Sequence, residues 1–258
     1  SDATLGGFFT NPARAVGDTI TFKIHGQSRL SGFLDSTLNG ISAPGLVTDG
    51  MSAGYEVTSV IDATETATLI FTDGIANDVL AFNSISGTFA FYLDGSPDSV
   101  VTSGAGFNDG DIGAVPFLAG TTDSVTGFFG GPLGAGTGNS FLGNTITFYD
   151  PLVIETDPAM AGVSLIGSTF DTKITALPLV PQEPTIAVGG SIGGIPQPVA
   201  SLPPTPYAAY TVLANDLVLK ADADSQFQAI PEPATMLLFG SGLLGLAGFG
   251  RKKFKAKG

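Results

Sequence analysis

Thr19-Ile20-Thr21-Phe22-Lys23-Ile24-His25 alternates polar and apolar residues without a break. In an extended chain successive side chains point to opposite faces, so Ile20, Phe22 and Ile24 share one face and Thr21, Lys23 and His25 the other. Such a segment reads as a strand with one face in a core and one in water. Similar alternation recurs at residues 55–61, 67–72, 88–93, 145–149, 168–177 and 210–220. Turn-forming clusters separate these runs: Thr48-Asp49-Gly50, Thr72-Asp73-Gly74, Asp94-Gly95-Ser96-Pro97-Asp98 and Asn108-Asp109-Gly110-Asp111. No amphipathic helical period appears before residue 230. The pattern predicts an all-β fold, an antiparallel β-sandwich or jelly roll, followed by a single C-terminal apolar helix.

Two stretches interrupt the alternation. Residues 127–143 hold Gly127, Gly130, Gly131, Gly134, Gly136, Gly138 and Gly143, which reads as a long flexible loop; it lacks the Gly-Lys-Ser/Thr ending of a phosphate loop. Eight prolines between Pro178 and Pro206 mark an extended tether that a compact domain rarely needs. The chain therefore divides into a β-rich body at 1–177, a proline-rich tether at 178–206, terminal strand or strands at 207–230, and a tail at 231–258.

Charge and composition exclude several functions. The net charge is −13, and five of the ten basic residues lie in the last eight positions. Residues 1–230 thus set 22 acids against Arg14, Lys23, Arg29, Lys173 and Lys220, a balance of −17. Such a body repels nucleic acid. There is no cysteine, which removes disulfides, thiol catalysis and cysteine-held zinc together. The chain opens at Ser1 with no basic-then-apolar leader, as expected once a signal peptide has been removed.

Candidate chemistry is sparse. His25 is the one histidine; it stands on the polar side of a strand, and no Gly-x-Ser-x-Gly surrounds any serine, so a catalytic triad is not expected and a surface histidine is. One imidazole also makes a poor transition-metal site. Carboxylates are the remaining ligands, and Ca²⁺ their natural cation. Asn108, Asp109 and Asp111 gather three oxygen side chains around a glycine turn, a candidate Ca²⁺ loop; an ordinary Asx turn explains the same residues. Asp222 and Asp224 alternate with alanines and read as a solvated strand edge. With no tryptophan in the chain, a stacked carbohydrate cleft finds little support.

The tail is the most specific stretch. Pro231-Glu232-Pro233 precedes seventeen uncharged residues, Ala234 to Gly250, and then Arg251, Lys252, Lys253, Lys255 and Lys257. The apolar run makes a helix of about 25 Å, the lower limit for crossing a bilayer. The basic cluster after it holds the C-terminus in the cytoplasm by the positive-inside rule, leaving residues 1–230 outside. The prolines favour extended backbone and form a non-helical stalk just outside the membrane. Five glycines in the apolar run suit a membrane helix better than a soluble core helix. Ser241, Gly245 and Gly248 fall on one helix face, where small residues let helices approach closely.

In order and spacing, residues 231–258 resemble the PEP-CTERM sorting signal of secreted bacterial proteins handled by membrane-embedded exosortases. The resemblance implies export, an exosortase-type partner, possible cleavage near Pro231-Glu232-Pro233, and association with exopolysaccharide or biofilm matrix; it implies nothing about the fold of the body. The resulting expectation is a non-enzymatic, cofactor-free structural protein of the cell surface or matrix. It contacts the membrane through its tail, contacts extracellular polysaccharide or other copies of itself, and binds no nucleic acid. The alternatives are an exopolysaccharide- or Ca²⁺-binding module and a secreted hydrolase.

Overall fold

The computed structural model describes residues 8, 11–34, 39–48, 52–74, 77–100, 105–108, 115–131, 137–154, 164–177, 191–192, 210–211 and 220–227. The tail, with its expected helix, lies outside them, as does most of the tether. The described chain is antiparallel β structure plus one helical turn at Pro151–Ile154. Its strands are β1 (Thr19–Arg29), β2 (Phe33–Leu34), β3 (Gly40–Ile41), β4 (Glu56–Thr72), β5 (Asp78–Asp94), β6 (Leu118–Gly131), β7 (Thr137–Tyr149), β8 (Thr169–Leu177), β9 (Ser191–Ile192), β10 (Tyr210–Thr211) and β11 (Lys220–Phe227). Seven of them form one sheet in the order β1-β4-β5-β6-β7-β8-β11, while β2 pairs with β3 and β9 with β10. The antiparallel all-β class is the one that the alternation predicts. Within it the topology is a meander, because each strand from β5 to β8 lies beside its predecessor in sequence.

Register shows how one sheet builds a core. Ile24, Ala63, Gly87, Thr122, Asn144 and Phe170 lie side by side in consecutive strands. Side chains on this face, here called inner, include the buried Ile20, Ala67, Leu69, Leu80, Ile85, Phe89, Val125, Leu142, Ile146 and Phe170. The sheet curls around them. Phe89 on β5 and Phe170 on β8 are three strand spacings apart, about 14 Å in a flat sheet. Their rings nevertheless meet edge to face at 5.1 Å. One curled sheet therefore supplies the facing walls that a sandwich draws from two sheets. Thr122 and Asn144 join inside this core through a 2.8 Å hydrogen bond.

Glycine makes the curl feasible. Gly120 lies on the inner face between Phe89 and Ile146; a Cβ there would come 2.9 Å from the Phe89 ring and collide with the Thr145 carbonyl. The ladder also carries irregularities at Ala119/Gly120 and Thr122/Ser124, where bulges bend a strand. The expected loop at 127–143 is thus mostly strand: β6 runs through Gly131 and β7 begins at Thr137. Gly138 is needed where a Cβ would stand 2.8 Å from the Phe129 Cα of the neighbouring strand. The segments expected as separate strands at 55–61 and 67–72 are one seventeen-residue strand, β4, with register shifts at Thr66/Ala67 and Leu69/Phe71. The strand expected over 210–220 appears as the two-residue β10 and the later β11. β11 joins the same sheet as the body, beside β8.

A smaller core covers the opposite face at the end where β1 finishes and β4 begins. Val60, Ala90, Ala119 and Phe148 form one row across four strands. The two alanines leave room for Phe107, which packs there with Tyr92 beneath the β5–β6 connection. This second core buries the outer face of only one end of the sheet. Elsewhere that face carries exposed polar residues such as Ser84, Ser86 and Thr126.

Candidate functional site

Among the described residues the densest charged constellation lies over the smaller core. Glu56, the first residue of β4, is fully buried. Its Oε1 accepts hydrogen bonds from the backbone N–H groups of Asp98 and Ser99, each at 3.0 Å, and its Oε2 accepts one from the Ser99 hydroxyl at 2.6 Å. Arg29, the last residue of β1, sets its Nε 3.2 Å from the same carboxylate. Arg29 also donates to the Ser99 hydroxyl, the Ser99 carbonyl and the Thr48 carbonyl, and lies 5.9 Å above the Phe107 ring. One guanidinium thus ties two connections to the sheet, β3–β4 through Thr48 and β5–β6 through Ser99, a use that suits its rigid fork of donors.

Glu56, Asp94 and Asp98 also place ligand-type oxygens within 4.8 Å of one another, in register at the sheet end because Glu56 stands opposite Asp94. Divalent cations are held by such sets. Glu56, however, has both oxygens engaged by Arg29 and by backbone and hydroxyl donors. The arrangement neutralises the carboxylate within the protein; Asp94 is itself buried and accepts the Ser96 backbone N–H at 2.7 Å, while Asp98 is exposed. Of the sequence-derived Ca²⁺ candidates, Asn108 is half-buried and follows Phe107 directly; Asp109 and Asp111 lie outside the described residues. A Cβ on Gly106, whose φ is 74°, would collide with Asp98, so the chain two residues before Asn108 passes close to Asp98. Sequence reading missed Glu56, Arg29 and Ser99 because their partnership joins positions up to 70 residues apart.

His25 is more covered than a surface histidine. It faces Asp62 in register, and its Nδ1 lies 3.2 Å from the Asp62 carboxylate, with 11% of the side chain accessible. Ser99, the serine tied to a carboxylate, bonds Glu56 and Arg29 instead, so the geometry does not bring serine, histidine and acid together there. A shallow depression of about 280 Å³ lies beside Gly45, Leu46, Val47, Thr48, Ser52 and Ala53, none of which is titratable among the described residues. Among the described residues no helix is long and apolar enough to cross a membrane.

Pro231, Glu232, Pro233, the small-residue positions Ser241, Gly245 and Gly248, and the basic residues Arg251, Lys252, Lys253, Lys255 and Lys257 all lie outside the described residues. β11 ends at Phe227, with three residues between it and Pro231. No curated protein matches the chain, and no solved structure does. Residues 229–252 match the family model of the PEP-CTERM protein-sorting motif. The match spans Pro231-Glu232-Pro233, the apolar run, Arg251 and Lys252. The chain therefore carries a PEP-CTERM tail, and with it the character of an exported, envelope-associated protein sorted by an exosortase-type enzyme.

Proposed function

We propose that the body is a non-enzymatic structural domain, delivered to the cell surface or extracellular matrix by the tail and there contacting polysaccharide or further copies of itself. The observation that carries this reading is the sorting motif, placed directly after a strand of the sheet. The body supports it in a secondary way. Its best-built polar network, Arg29–Glu56–Ser99, is buried and internally satisfied, which suits holding connections in place rather than turning over a substrate.

The test is location. Replacing Pro231 and Pro233 by Ala, or removing residues 251–258, leaves synthesis and export intact and changes where the protein ends up. Fractionation of producing cells into membrane, surface and medium, with intact-mass measurement of each pool, reads the outcome. Identical distribution and mass for wild type and both variants overturns the sorting role. In the self-assembling form of this proposal, Gly245→Leu crowds the face shared with Ser241 and Gly248 and lowers the oligomer size of detergent-solubilised full-length protein.

A second reading is favoured by one specific observation, the gathering of Glu56, Asp94 and Asp98 oxygens within 4.8 Å of one another. In it the body takes up Ca²⁺ and presents it to an anionic polysaccharide. Thermal melting with Ca²⁺ and with chelator separates the two. A midpoint that does not respond to Ca²⁺ removes this reading and leaves the first.

A further inference from the structure

We propose that β11 is a detachable strap, and that its docking on β8 sets how far the sorting tripeptide stands from the folded body. The strap is a property of the described strand; only its consequence for processing rests on the sorting reading.

Strands at the two ends of the sheet are held in different ways. β1 is anchored by side chains: Ile20 is buried, and Phe22 and Ile24 pack into the inner core. β11 pairs with β8 over eight positions, from Lys220 opposite Leu177 to Phe227 opposite Phe170, yet each residue from Asp222 to Gln226 is exposed. Of the five cross-strand pairs that meet there, four are polar and one, Ala223 opposite Ile174, is apolar. Asp224 lies opposite Lys173 and Gln226 opposite Asp171, while the Ser225 and Thr172 hydroxyls are 2.9 Å apart. In this central stretch, ladder hydrogen bonds and solvent-exposed polar pairs hold the strand, and both exchange readily for bonds to water. Opposing them is the entropy of fixing eight residues. Closure of the connection over residues 178–219 adds a further entropic cost. Such an element opens at the low end of a protein's range of local stabilities.

The position of the strap gives its opening a consequence. With β11 docked, residues 228–230 separate Phe227 from Pro231, so the tripeptide stands at most about 14 Å from the sheet. Release of residues 220–227 lengthens the stalk by about 26 Å. A membrane-embedded enzyme that must grip extended chain around Pro231-Glu232-Pro233 gains that clearance only from the released form.

The absence of native cysteine makes the test clean. In the double variant Thr172→Cys/Ser225→Cys, directly opposed positions come within reach of a disulfide. The bridge pins β11 to β8. Full-length protein in detergent micelles, oxidised and then reduced, is digested with a post-proline endoprotease, and cleavage after Pro231 is timed by mass spectrometry. The oxidised form is expected to be cut about tenfold more slowly than the reduced form, and reduction to restore the wild-type rate. Equal rates overturn the proposal. Hydrogen exchange on the wild-type chain decides independently of whether the variant folds: β11 amides are expected to exchange well before those of β5, and equal protection of the two strands overturns the strap. Neither measurement involves a sorting enzyme, so failure of the sorting reading shows separately, in the fractionation experiment.

Discussion

Glu65 illustrates what a single residue contributes here. It occupies an inner-face position of β4, in register between Phe22 of β1 and Ile85 of β5, and is 3% exposed. The strands around it place no basic side chain on that face among the described residues. Burial without a cation raises its carboxyl from 4.5 to about 8, so at neutral pH it stays protonated in the folded state and is ionised in the unfolded chain. The sign follows from proton counting. Between about pH 4.5 and 8 the folded state holds the proton that the unfolded state has lost. The Glu65 contribution therefore favours folding least at high pH, and stability falls by roughly 1.4 kcal/mol per pH unit as pH rises through that window. Glu65→Gln removes this slope: urea midpoints are expected to rise at pH 7.5 and stay unchanged at pH 4. An equal shift at both pH values contradicts the protonated carboxyl. The opening heptad makes a companion test. Phe22→Asp places an acid opposite Glu65 within the apolar face and is expected to cost about 3 kcal/mol or more. Lys23→Asp on the exposed face stays within about 1 kcal/mol.

At the scale of elements, strand positions were legible where alternation was clean, as in β1 and β8, which begin and end close to the runs at 19–25 and 168–177. β6 was not legible. Leu118-Ala119-Gly120-Thr121-Thr122 lacks large apolar residues at every second position, and the glycines after it read as loop. Yet those glycines are strand residues because neighbouring backbones and rings occupy the space that a Cβ would fill. Gly87 is one such position, where a methyl would come 2.5 Å from the Ala63 Cα. Gly87→Ala is expected to destabilise by about 1–3 kcal/mol through overpacking, whereas Gly40→Ala, with nothing within 4 Å, stays within about 0.5 kcal/mol. Thermal or urea unfolding checks both. Equal costs would mean that close approach is not what selects glycine in this sheet.

For the whole molecule, charge is divided between an acidic body and a basic end of the tail. Removing residues 251–258 takes away five positive charges, which is expected to move protein from the membrane fraction into the medium or to scramble its orientation, read by protease protection in vesicles. Unchanged protection would show that the basic end does not orient the chain. The sequence by itself determined the antiparallel β class, through a period of two, and the sorted, exported character, through the local order of Pro-Glu-Pro, apolar run and basic residues. Both signals are local, carried by residues a few positions apart. Tertiary structure decided what depends on distant positions: a curled meander in which Phe89 meets Phe170, a buried Arg29–Glu56–Ser99 network, and a strand beside the sorting motif held by β8. Those features follow from strand register and from the space between backbones, which no single stretch of chain encodes.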